Sequence, residues 1–142
     1  MATMRISKAR VNLGDNRLEQ AMIQDAGYKA VDKGSIASGT VTFDYPGGSV
    51  QTWTNGGAHT VATSNWPPTG NLGELLLIGT NLAAFTITWP TITWLKPDGT
   101  TTTVIATYLA ANTGRTALQT SGVDQILLWS RDAGTTIYGK LV

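Results

Sequence analysis

The side chains able to do chemistry in this sequence are few and far apart. His59, in "NGGAHTV", is the only histidine. Beyond residue 38 the carboxylates Asp44, Glu74, Asp98, Asp124 and Asp132 stand singly, mostly at turns or strand ends. One imidazole with no cysteine and no neighbouring carboxylate pair does not make a zinc site, and no serine is framed as G-x-S-x-G for a histidine to activate. His59 therefore reads as an exposed or edge histidine. A carboxylate pair for glycoside hydrolysis would have to be assembled by the fold, since no spacing in the chain provides one. "PGGS", "NGG" and "GNLG" lack the Lys-Ser/Thr continuation and the strand-to-helix setting of a phosphate loop, so they read as turns. The expectation is a protein that is not an enzyme, with no catalytic residue, no cofactor and no metal.

Two patterns remain. In "SRDAGTTI" the residues Ser130, Asp132, Gly134 and Thr136 fall at the spacing S-x-D-x-G-x-T. There a carboxylate accepts N–H groups across a tight turn, glycine supplies the left-handed residue and the hydroxyls complete the local bonding. The spacing resembles the aspartate box of sialidases and related propellers, with Ile137 where Trp is usual. In those proteins the box is a hairpin device, and a propeller needs several copies spread over many strands. A single copy reads as a structural turn.

The second pattern is aromatic. "AAFTITWPTITWLKPDGT" carries I-T-W twice, with Pro90 between the copies. Alternation sets Phe85, Ile87 and Trp89 on one face and Thr86 and Thr88 on the other, so the aromatic set reads as inward, along with Val41, Leu75, Leu77, Ile126 and Leu128. Pro90 cannot donate to a ladder and marks a strand end or bulge. Five Trp, four Tyr and two Phe are more large side chains than one thin core easily encloses. Trp94 and Tyr108, on either side of Pro97-Asp98-Gly99, are the candidates for a subunit interface or a glycan contact.

These residues need elements to hold them. From Gly39 onward the period is two: "TVTFDY", "SVQTWT", "HTVATS", "ELLLIGT", "AFTITW", "TITWL", "TTTVIATYL", "QILLWSR" and "TTIYGKLV" are rich in β-branched and aromatic types. Turn residues separate them, and "KPDGT" and "RDAGT" read as short hairpins. The spacing predicts a mainly β domain over 39–142, an antiparallel β-sandwich of jelly-roll type. "ELLLIG" has the character of a strand buried on both faces. Residues 1–38 are different material. They hold ten of the nineteen charged residues by position 33, with Leu13, Leu18, Met22 and Ile23 at roughly helical spacing. A short helix is expected over 16–26, in an arm that serves attachment or oligomerisation.

Composition removes several partners. Lys plus Arg is 10 against Asp plus Glu at 9, so no basic field attracts nucleic acid. No apolar run reaches the length of a membrane span or a secretory core, so work outside a cell implies release by lysis or within an assembled particle. With no Cys, disulfides are excluded and the redox compartment cannot be read.

The blocks N-W-P followed by G-E-L (65–75), T-I-T-W-P (86–90) and V-D-x-x-x-x-W-S-x-D-x-G-x-T (123–136) resemble a domain of tailed-bacteriophage structural proteins, particularly tail-fibre and minor virion proteins. The resemblance covers about 100 residues. Between the last two blocks "LKPDGTTTTVIATYLAANTGRTALQTSG" departs from the W-x-G-G-x-x-P-x-L run usual there. What the resemblance implies is a virion component, most often trimeric, in a fibre, a tail or a head decoration, contacting other virion proteins. A carbohydrate-binding module that reads a host surface glycan is the alternative, and a depolymerase fragment trails both.

Overall fold

The computed structural model describes residues 28–142. The helix expected over 16–26 lies outside them. The described chain is mainly β. Strands β1 (Ala30–Ile36), β3 (Val50–Asn55) and β5 (Gly73–Thr80) lie in one sheet, and β2 (Thr40–Asp44), β4 (His59–Ser64) and β6 (Ile87–Thr88) in another. The chain thus crosses between the sheets at every turn, and all neighbours among these six strands are parallel. Ala30 pairs with Val50 and Thr40 with Thr60, so one full winding takes twenty residues before the longer third.

The remainder closes the larger sheet. β7 (Thr93–Leu95), β8 (Thr101–Thr102), helix α1 (Ile105–Thr113), β9 (Val123–Ser130) and β10 (Tyr138–Leu141) follow in chain order. β9 runs antiparallel to β5 from Gly73↔Ser130 to Thr80↔Val123, giving the seven-stranded order β1-β3-β5-β9-β10-β7-β8. "RDAGT" and "KPDGT" are the expected hairpins, joining β9 to β10 and β7 to β8.

Antiparallel pairing throughout is not what the strands do, since five of the eight pairings are parallel. The reason lies at the corners. "NGG" carries the chain from one sheet to the other, and it does so in a space only glycine fits: a Cβ on Gly57 would run into the Ala37 carbonyl of the corner below. "ASG", with Gly39 at φ 81°, is that lower corner.

Three further expectations change. The boundary at residue 38 cuts through the sheet, because β1 pairs with β3. Its charged sequence, AVDKGSI, reads as arm, but an edge strand tolerates Asp32 and Lys33 and a break in register where Gly34 sits at φ 69°. "TTTVIATYL" is a strand only at Thr101–Thr102; thereafter Ile105, Tyr108 and Leu109 follow helical spacing into an alanine-rich run that Gly114 ends at φ 72°. "AFTITW" keeps only Ile87–Thr88 as strand, and Phe85 is 51% exposed rather than inward.

The core lies between the sheets and under α1. Val41, Leu75, Leu77, Ile126 and Leu128 are buried there, with Phe43 against Trp53 at 4.8 Å. Ile87 and Trp89 are half-buried, Trp89 edge-on to Trp53 at 6.3 Å. β5 alternates strictly: Leu75 and Leu77 face the core, while Leu76 and Ile78 are half-exposed on the opposite face. The run "ELLLIG" is therefore not buried on both sides by the described residues.

Candidate functional site

The S-x-D-x-G-x-T residues come together in one turn. Asp132 Oδ1 accepts the Thr136 backbone N–H at 2.9 Å and the Ser130 hydroxyl at 2.9 Å, and Ser130 Oγ accepts the Gly134 N–H at 2.9 Å. Ala133 and Gly134 both have positive φ. The Thr136 backbone bond, then hydrogen bonds from the Thr136 and Ser130 hydroxyls, hold the Asp132 carboxyl below its ordinary range. These bonds all close the turn on itself, so this is a fastening. Trp66 explains the glycines around it: a Cβ on Gly134 or on Gly73 would collide with the indole or with its neighbour Pro67. Trp66 also stacks on Tyr45 at 6.1 Å and donates its N–H to Thr63 Oγ1 at 3.0 Å. The N-W-P, G-E-L and S-x-D-x-G-x-T blocks thus meet at one tryptophan.

Trp94 and Tyr108 are also brought together, but inside. Their rings stack at 5.2 Å and are 2% and 1% exposed. Gly139 makes room for this, since a Cβ there would meet Trp94 and Ile92, and Tyr108 Oη accepts the Leu141 N–H at 2.6 Å. Neither ring offers surface to another subunit or to a sugar; α1 covers a tryptophan that alternation alone leaves undetermined. His59 is likewise buried, not exposed, in the middle strand of the small sheet. Its Nδ1 donates to the Gly57 carbonyl at 2.9 Å. Among the described residues no three His, Asp or Glu side chains converge as a metal site, and no helix is long and apolar enough to cross a membrane.

Among the described residues, two surfaces carry uncovered apolar area. The first is a groove of about 550 Å³ between residues 82–89 and α1 with its following loop. Leu82 and Leu109 form its floor, Phe85, Ile87 and Trp89 one wall, and Ile105 and Leu118 the other. Three buried or part-buried polar groups build it. Asn55 Nδ2 donates to the carbonyls of Leu82 and Phe85 at 3.0 and 2.9 Å, fixing the turn that pushes Phe85 outward. Asn81, at φ 59°, exchanges bonds with Gly122: its N–H donates to the Gly122 carbonyl and its Oδ1 accepts the Gly122 N–H. The buried Asp124 carboxylate accepts the Gln119 N–H at 2.7 Å and lies 3.4 Å from Arg115 Nη2, which shapes the far wall.

The second is the outer face of the larger sheet. Strict alternation places Val50, Leu76, Leu127 and Trp129 there, half-exposed, with Tyr138 beside them. Trp129 and Tyr138 stack at 5.7 Å with their planes 15° apart. Leu72, Leu95 and Tyr28 extend this surface and are exposed.

Asn55, Asn81 and Phe85 are the residues that sequence reasoning passes over as site-builders. Asn81 carries a weak signal, as an asparagine in "TNLA" between apolar runs; Asn55 carries none, because its partners lie 27 and 30 residues away. No protein-family model, curated protein or solved structure matches the chain.

Proposed function

We propose that the chain is a non-enzymatic building block of a bacteriophage particle, a fibre, tail or head-decoration component that works as a homotrimer on the particle surface. The observation that carries this reading is the groove with Phe85 at its rim. A phenylalanine held outward by one buried and one part-buried hydrogen bond at the base of its turn is a costly arrangement for a monomer, and exposed apolar surface organised in this way marks a contact. Closed symmetry lets identical copies satisfy one another's patches. The three-fold choice and the virion setting come from the resemblance of the N-W-P, T-I-T-W-P and S-x-D-x-G-x-T blocks to virion proteins. In this reading the two sheets act as one stiff sandwich, wound instead of jelly-rolled, and the N-terminal arm reaches toward neighbouring virion proteins.

Mass spectrometry of purified particles assembled by the genome that encodes the chain tests the setting. Stoichiometric recovery in multiples of three supports it, and recovery only from the soluble lysate fraction overturns it. One observation favours the second reading, a host-glycan receptor module: Trp89 and Phe85 share the groove with Thr86 and Thr116, an aromatic platform beside hydroxyls. Binding of the isolated chain to a glycan array, lost in Trp89→Ala, selects that reading.

A further inference from the structure

The apolar band on the outer sheet face has a position as well as a composition. Val50 pairs with Leu76, Leu76 with Leu127, and Trp129 with Tyr138, so the band crosses four adjacent strands near one end of the sheet. Tyr28, the first described residue, lies at that end. It closes a hollow of about 150 Å³ with Val50, Leu76 and Leu127, yet is itself 82% exposed. Tyr28 therefore stands on the rim of this band.

We propose that residues 16–26 of the same chain cover the band, seating Leu18, Met22 and Ile23 on Leu76, Leu127 and Trp129. Three observations favour this occupant over a second copy. The spacing that predicts a helix ends two residues before Tyr28, so no linker is needed to bring it there. Eleven helical residues span about 16 Å, and the three gaps from β3 to β10 span about 14 Å. Glu74 and Lys140 flank the band with no ion pair among the described residues, and the segment carries both signs, Arg17 with Glu19 and Asp25. The proposal involves neither the groove nor residues 1–15, so it stands or falls independently of the virion reading.

The absence of cysteine makes the test clean. Leu127→Cys is introduced into the full-length chain and the maleimide labelling rate is measured with and without Leu18→Asp plus Met22→Asp. Labelling slowed roughly tenfold or more relative to the arm-substituted chain supports the proposal, since reaction then requires local opening. Equal, fast labelling in both overturns it. Slow labelling that ignores the arm substitutions but quickens on dilution also overturns it, in favour of a second copy. As an independent reading, oxidation of the Met22→Cys/Leu127→Cys chain is expected to give an intrachain disulfide; interchain links, or none, reject the assignment.

Discussion

The Asn55 amide nitrogen donates to the Phe85 carbonyl at 2.9 Å, joining a buried strand residue to the backbone of an exposed aromatic thirty positions later. The same nitrogen donates to Leu82, so one carboxamide fixes both ends of the turn that forms the groove's rim. Asn55→Ala leaves two carbonyls without their donor and is expected to lower stability by about 2 kcal/mol. It should also weaken self-association, because Phe85 is no longer held outward. Chemical denaturation and light scattering on one sample measure both effects, and a loss of stability with unchanged association would detach the turn from assembly.

Gly134→Ala and Gly99→Ala separate conformation from packing. Both glycines have φ near 80°, but a Cβ at position 99 meets nothing while one at 134 meets Trp66. Gly99→Ala should cost about 1 kcal/mol for its backbone alone. Gly134→Ala should cost roughly 1–3 kcal/mol more through overpacking. Equal losses in denaturant melts would mean that Trp66 yields freely and does not tie the three sequence blocks together.

Acid should loosen the β9–β10 turn in a defined direction. The Asp132 carboxyl is held below its ordinary value of 3.8 by the bonds from Thr136 and Ser130. A depressed folded-state value contributes stability that is complete above 3.8 and disappears as pH falls through the lower folded value. Asp132→Asn should therefore reduce stability at neutral pH and show a shallower decline below pH 3.8 than the parent chain. Parallel acid titrations followed by tryptophan fluorescence report the comparison.

Much of this was legible in the sequence, and the gaps have physical causes. Period-two alternation identified strands and faces at Val41, Leu75, Leu77, Ile126 and Leu128, because burial on one face is a local property. Strand direction is not local: a corner between sheets and a hairpin within one use the same glycines, so "NGG" does not announce which it is. The available clue was the recurrence of Thr-Val at 40–41 and 60–61, twenty residues apart and paired in register. The threonine run at 100–103 hid α1 by extending β-branched character into Val104 and Ile105, although Tyr108 and Leu109 already kept helical spacing with Ile105. Placing Trp94 and Tyr108 at an interface failed for that reason, since the helix that buries them was read as a strand.

Removal of residues 1–38 should not leave a cooperative β domain. It deletes β1 and leaves β3, still paired with β5, as an exposed edge whose inner side carries Gln51, Trp53 and Asn55. Removal of residues 1–27 keeps that strand. Thermal melts of the two truncated chains are expected to show a cooperative transition only for the shorter deletion; cooperative melting of both would return β1 to the arm.

The proposed contact between copies is the groove. Light scattering at micromolar concentration on the parent chain and on Phe85→Ser decides it. Because Phe85 is exposed on the single chain, the substitution should leave the folded secondary structure unchanged by circular dichroism, while the melt falls and loses its concentration dependence as the subunits separate. The parent is expected at about 45 kDa, three copies of a 15.0 kDa chain, and Phe85→Ser at 15.0 kDa. A parent mass of 15.0 kDa, or a trimer that ignores Phe85→Ser, would contradict it.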